Sequence, residues 1–332
     1  VFGNELGLIL ETSLDVLIAR PAALLIESDE DLDLEVLTQV GQIAEANYRI
    51  NGLDLDVKRI QHAYQSGLDF LYPVYGKAGD RSIPTITSQK SYSPYTGPKI
   101  DRVNVVIPVF PGSNCEYDTA KAFIKAGAEI TEVVIRNQTS DHLNESIQCL
   151  VEGIKASQIL ALVGGFSAGD EPDGSAKFIV NVLRNPFIQD AIEDLRQRDG
   201  LIIGICNGFQ ALIKSGYLPY GQLRSLNEND ATLAHNTIHR HISAMVKIRQ
   251  STQASPWLNP NKLGAFHRVP LSHGEGRLVV SETQFNEWVE KGQIAYQYVD
   301  ENNQATLDSK YNLNGSDYAI EALLSEDGRI LG

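Results

Sequence analysis

The sequence predicts an α/β layer fold built on a parallel sheet, preceded by a smaller α+β piece. Two observations carry the prediction. Short runs dominated by β-branched residues recur from residue 102 onward, and amphipathic segments separate them. Strands of that kind, buried on both faces and alternating with helices, belong to a parallel sheet covered by helices. A third observation sets the number of parts. At 332 residues the chain exceeds one ordinary core, so two domains are expected.

The elements follow in order. Residues 1–81 form the first unit. "GLILE" and "AALLIES" read as strands, 27–35 as an acidic turn, and "TQVGQIAEANYRING" as a hairpin ending at Asn51-Gly52. "DLDVKRIQHAYQSGLDFLYPVYG" has helical spacing and is stopped by Pro73. The stretch from Lys77 to Lys99 is rich in Ser, Thr, Gly and Pro without apolar periodicity, so a linker is placed at 82–101. From residue 102, "VNVVIPVF", "EITEVVIR", "QILALVGG" and "LIIGI" are strands. "NCEYDTAKAFIKAG", 141–154, "SAKFIVNVLRN", "FIQDAIEDLRQRDG" and "NGFQALIKSG" are helices. Beyond about residue 232 the chain turns strand-rich ("AMVKIR", "GRLVV", "QIAYQYV", "DYAIEALL") with one helix at "ETQFNEWVEKG".

Composition narrows the function classes. Hydrophobic residues make up 42% and charged residues 21% of the chain, as in globular proteins, and the net charge is −14. Nucleic-acid and anionic-membrane partners need clustered Lys and Arg, so neither is expected. No run approaches the roughly 18 apolar residues of a membrane span. Glu5, Glu11 and Asp15 interrupt the N-terminal segment, which does not read as a signal peptide. Cys115, Cys149 and Cys206 form no metal pair and suit reduced thiols in a cytoplasm.

Two strand-to-helix junctions carry the chemistry. In "GICNGFQALI", Cys206 stands between Gly204 and Gly208 where a strand gives way to a helix. That is the G-x-nucleophile-x-G pattern with a thiol. The helix N-terminus after it would lower the thiol pKa and aim N–H groups at a developing oxyanion. The alternative is a small buried cysteine; the two glycines and the strand-to-helix switch favour the nucleophile. In "LVGGFSAGDEPDGSAKF" a double glycine closes a strand. N–H groups at Gly165 and Phe166 would complete an oxyanion hole with that of Asn207. A phosphate loop is rejected here. Ser175 follows Gly174 where Lys is required, and Asp170, Glu171 and Asp173 would repel phosphate.

The compact acid–base candidate is "SHGEG". His273 and Glu275, two apart on an extended segment, would face one side. His235, His239 and His241 in "HNTIHRH" lack metal-site spacing and are read as substrate-contacting or packing residues. No metal is expected. His62 and His142 are read as ordinary surface histidines.

Taken together, "IPVFPGSNCEYDTAKAFIKAGAE", "GGFSAGDEPDGSAKFI", "GICNGFQALIKSGYLP", "LAHNTIHRHISAMV" and "VPLSHGEGRLV" resemble the class I glutamine amidotransferase domain of the phosphoribosylformylglycinamidine synthases. The likeness spans residues 102–332, and 1–100 resemble the tail of the synthetase region in the single-chain form. The resemblance implies that Cys206 attacks the carboxamide of glutamine. Ammonia then reaches an ATP- and Mg-dependent site that turns formylglycinamide ribonucleotide (FGAR) into the amidine (FGAM). It also implies glutamine contacts at Gln210, His235 and Asn236. The family's catalytic His-x-Glu motif falls beyond "YAIEALLSEDGRILG". "SHGEGR" matches an earlier strand near the substrate or a domain interface, so His273 and Glu275 do not inherit the base role. The ATP and FGAR sites would lie upstream of Val1. A synthase cut at both ends is the expectation, with little glutaminase turnover from these residues alone. Two alternatives stay open: another cysteine hydrolase or DJ-1-like protein of the same fold, and a non-catalytic regulatory module.

Overall fold

The computed structural model describes residues 7–11, 28, 39–44, 48–77, 79, 81–95, 97, 99–170 and 175–332. Apart from Ser28, the strand expected over "AALLIES" and the acidic turn at 27–35 lie outside them, as does 171–174 of the acidic loop. Two compact units divide the chain, Val1–Val74 and Tyr75–Gly332.

In the first unit, β1 (Gly7–Leu10), β2 (Gly41–Ala44), β3 (Tyr48–Ile50) and β4 (Leu53–Leu55) form a sheet in the order β2-β1-β3-β4. The expected hairpin is shifted. β2 pairs with β1, and the Asn51-Gly52 turn instead joins β3 to β4. Both turn residues have positive φ, 48° and 81°, the geometry an Asn-Gly hairpin turn requires. Asp56 then caps α1 (Val57–Ser66) by accepting the Arg59 N–H at 3.1 Å. α1 stops well before Pro73. Gly67 weakens the next turn, and the Asp69 carboxylate takes the Val74 N–H at 3.0 Å, a local bond that competes with helix.

The second unit opens with the stretch expected as a linker. Its described residues carry no helix or strand, yet it is held to the rest of its unit. The Ile86 N–H donates to Gln297 Oε1 at 2.8 Å, and Arg249 Nη1 reaches the Ile86 carbonyl at 2.7 Å. The Ile86 side chain is buried in the main apolar core.

The α/β layer follows: β5 (Asn104–Val109), α2 (Glu116–Lys125), β6 (Glu129–Val134), α3 (Ser140–Ala156), β7 (Ile159–Leu162), α4 (Lys177–Leu183), α5 (Pro186–Gln197), β8 (Leu201–Gly204) and α6 (Asn207–Ser215). A short turn, α7 (Tyr217–Tyr220), precedes β9 (Thr232–His235), β10 (Ile242–Gln250), β11 (Phe266–His273), β12 (Glu275–Val279), α8 (Glu282–Lys291), β13 (Ile294–Tyr298), β14 (Ile320–Leu323) and β15 (Ile330–Leu331). The parallel sheet has the order β15-β8-β7-β5-β6. Both of its faces are covered. Val106, Leu160, Leu162 and Ile202 pack in one core with Leu150, Ile179 and Ile192 of the helices. Val105, Ile107, Ala161 and Val163 pack in another with Ala120 and Phe123 of α2. The strand-rich end forms an antiparallel sheet, β11-β10-β13-β14, and a separate pair, β12-β9. Among the described residues, no helix is long and apolar enough to cross a membrane.

Candidate active site

β8 and α6 meet at Cys206, whose backbone sits at φ 53°, ψ −108°. A side chain there is strained, and the surrounding packing must hold it. The glycines on either side allow that packing. A Cβ on Gly204 would come within 2.7 Å of the Gly208 carbonyl group, and one on Gly208 within 2.1 Å of the Leu162 oxygen. Cys206 is held on a turn so tight that strand, elbow and helix touch through bare backbone.

The double-glycine loop lies beside it for a topological reason. β7 and β8 are neighbours with Leu162 opposite Gly204, so their carboxyl ends emerge together. Gly165 turns the loop at φ 135°, and its Cβ position is blocked by the Gly112 oxygen at 2.6 Å and Ser113 Cα at 2.8 Å. The backbone N–H groups of Asn207 and Gly165 both lie close enough to the Cys206 sulfur to favour its thiolate. The N–H of Phe166 does not join them. It donates to the Gly112 carbonyl at 2.9 Å, and the phenyl ring is half exposed. Two of the three expected oxyanion donors therefore converge and the third is engaged elsewhere.

The thiol is not acidified as the helix N-terminus alone would suggest. Burial pushes its pKa up, and neighbouring Cys115 and Asp170 push in the same direction. The two nearby N–H groups oppose them without prevailing. The Ser272 carbonyl lies 3.7 Å from the sulfur.

His273 and Glu275 do not act as a pair. The same-face expectation assumed one strand, but the chain changes sheets between them. His273 ends β11 in the antiparallel sheet, and Glu275 opens β12 against β9. The His273 ring meets Asn236 through Nδ1 and Oδ1 at 3.2 Å, and burial lowers its pKa to about 4, helped by nearby His241. Glu275 Oε1 accepts from Ser175 Oγ at 2.7 Å and Lys214 Nζ at 3.0 Å. Burial acts to raise the Glu275 pKa, but these two bonds and the Lys214 charge outweigh it, and the net shift is downward.

Residues 102–332 match the family described as the CobB/CobQ-like glutamine amidotransferase domain. The chain belongs to that family. Similar proteins include phosphoribosylformylglycinamidine synthase subunit PurQ of Methanococcus maripaludis (strain C5), 33% identical over 225 residues, covering 67% of this chain and 77% of the relative. The Aquifex aeolicus protein of the same name is 32% identical over 229 residues, covering 68% and 85%. Among solved structures, PurLQS from Thermotoga maritima aligns with 25% identity over 70% of this chain and 85% of that one, with a TM-score of 0.49.

The other candidate residues of this amidotransferase domain lie on α6 and at the end of β9. Gln210, one turn into α6, is buried; its Oε1 accepts from Asn207 Nδ2 at 2.8 Å, and its Nε2 donates to the Glu275 carbonyl at 2.5 Å. Asn236 is buried, with Nδ2 donating to the His273 carbonyl at 2.7 Å and to that of Arg240 at 3.0 Å. His235 is exposed on β9, opposite Glu275 in register. Lys214 is the residue that sequence reading passed over. It shares a helical face with Asn207 and Gln210, at i, i+3 and i+7, and that spacing was the available signal. Cys115, Cys149 and Cys206 are all unpaired thiols. Among the described residues, no group of three or more His, Cys, Asp or Glu is arranged to hold a metal ion.

Proposed function

We propose that residues 102–332 form the glutaminase part of phosphoribosylformylglycinamidine synthase. In this reading the Cys206 sulfur adds to the side-chain carbonyl carbon of glutamine. The negative charge that develops on oxygen is met by the Gly165 and Asn207 N–H groups. Collapse of the adduct breaks the C–N bond and, with a proton delivered to nitrogen, releases ammonia and leaves a glutamyl thioester. Water then cleaves the thioester to glutamate and restores the thiol. The observation that carries the reading is the convergence of two N–H groups, from the ends of two adjacent strands, on a sulfur held on a strained elbow.

That relatives are subunits of a synthase supports a synthetase partner, whether a region of the same polypeptide or a separate subunit. Ammonia would pass to it for the ATP-dependent conversion of FGAR to FGAM in purine synthesis. ATP and magnesium would serve that synthetase; the described residues offer no metal-ligand cluster of their own. Three unpaired cysteines suit a cytoplasmic setting.

Two measurements test the proposal: ammonia release from glutamine, and labelling of Cys206 by a glutamine-mimicking electrophile. Glutamine should protect the thiol from the label, and Cys206→Ser should lose label and turnover together, the latter by more than about 10³-fold. Turnover that survives Cys206→Ser sinks the reading. A robust rate that His273→Ala abolishes would make His273 the base.

A further inference from the structure

The loop behind the double glycine is held in an expensive conformation. Ala168, Asp170 and Ala176 all have positive φ, at 53°, 55° and 62°, although none is glycine. Each such residue costs on the order of 1 kcal/mol, so surrounding bonds must impose the shape. The Asp170 carboxylate gathers them. It accepts the Ala176 N–H at 2.9 Å, the Ser167 hydroxyl at 3.4 Å, and Asn207 Nδ2 at 2.9 and 3.2 Å from its two oxygens. Asn207 returns the link, its Oδ1 accepting the Ser167 N–H at 3.1 Å.

We infer that Asp170 is a positioning residue for the oxyanion site, acting through the Asn207 side chain. The inference rests on the glutaminase reading. The two N–H groups that reach the Cys206 sulfur come from separate segments, Gly165 on the loop after β7 and Asn207 on the first turn of α6. The Asp170–Asn207 clasp ties those segments together and so sets the gap between the donors. The carboxylate does this at an electrostatic cost, because its negative charge disfavours both the thiolate and the oxyanion. An anion retained beside a developing anion makes sense where its geometry matters more than its charge.

Charge and geometry separate by reaction type. Alkylation of Cys206 by iodoacetamide passes through no oxyanion, whereas glutamine cleavage does. In the full chain, Asp170→Ala should lower kcat for ammonia release by about 10²-fold. KM should change several-fold less, and alkylation should hold its rate or speed up. Asp170→Asn, which keeps one acceptor and sheds the charge, should recover part of kcat. It also serves as the reporter if the alanine variant fails to fold, since a drop in kcat without a drop in alkylation is then expected of it. The inference is overturned if folded Asp170→Ala keeps kcat within about twofold, or if alkylation and turnover fall together. Wild-type protein that cleaves no glutamine and takes no glutamine-protected label would overturn the glutaminase reading itself, and this inference with it. Wild-type turnover beside an indifferent Asp170→Ala would overturn this inference alone.

Discussion

The elbow around Cys206 and the His273–Gly274–Glu275 segment make a useful comparison, because each presents reactive side chains beside glycines. At the elbow, glycines are required by backbone touching backbone, and three chain segments close on one sulfur. At the second segment the polar groups disperse. His273 turns to Asn236, and Glu275 turns to Lys214 and Ser175. The lesson concerns what a short motif encodes. Where sterics between near neighbours fix the geometry, residue spacing predicts the site. Where the chain passes from one sheet to another, alternation within the motif predicts nothing.

Substituting the glycines breaks this comparison most directly. Gly208→Ala places a methyl 2.1 Å from the Leu162 oxygen, a backbone atom that cannot swing aside. A loss of about 3 kcal/mol is expected, with turnover falling as the elbow shifts. Gly274→Ala meets nothing nearer than 3.8 Å, at the His241 nitrogen. It should stay within about 0.5 kcal/mol of wild type. Urea denaturation of both variants tests the contrast, and comparable losses would refute it.

The same contrast governs what was legible in the sequence. The strands β5, β7 and β8 stood out because their residues are largely buried on both faces, and the elbow because G-x-C-x-G is a local steric pattern. β11 was not singled out. It is an edge strand with Pro270 in its middle and mostly exposed side chains, so it shows no alternation to read. The helix after Asp56 was legible, but its end was not, because Asp69 takes the Val74 N–H. Around the sulfur, Gly165 and Asn207 could be read from the motifs. The Phe166 N–H could not be excluded without the Gly112 carbonyl opposite it, and neither the Asp170 clasp nor the Ser272 carbonyl leaves any trace in spacing.

A pH series tests the second segment. The folded pKa of His273, about 4, lies below the ordinary value of 6.5. The unfolded chain therefore takes up a proton that the folded chain refuses as pH falls from 6.5 to 4. Stability from neutral His273 is whole above that window and declines through it, by roughly 3 kcal/mol in all. Half-buried Glu321 has the opposite sign. Burial raises its pKa from 4.5 to about 7, so acidification from 7 to 4.5 relieves it and stabilises the fold. The two offset each other in wild type, and the variants expose them. Between pH 7 and 5, His273→Gln should gain stability relative to wild type and Glu321→Gln should lose it. Parallel curves for all three proteins would show that neither group titrates this way.

Glu275→Gln gives the smallest effect and the finest test. The ion pair with Lys214 is partly buried, its side chains 24% and 15% exposed at 3.0 Å. The amide keeps an acceptor toward Ser175 and Lys214 but removes the charge, and a cost of about 1–2 kcal/mol at pH 7 is expected. Because the folded pKa of Glu275 lies below 4.5, the wild-type advantage should persist above that value. It should disappear as pH falls through the folded pKa, a window lower than that of His273. Turnover should change by no more than about threefold, since the carboxylate spends its bonds on Ser175 and Lys214 rather than on Cys206. A folded Glu275→Gln protein whose ammonia release collapses would join the two regions into one catalytic unit, with Gln210, bonded to the Glu275 carbonyl, as the connection between them.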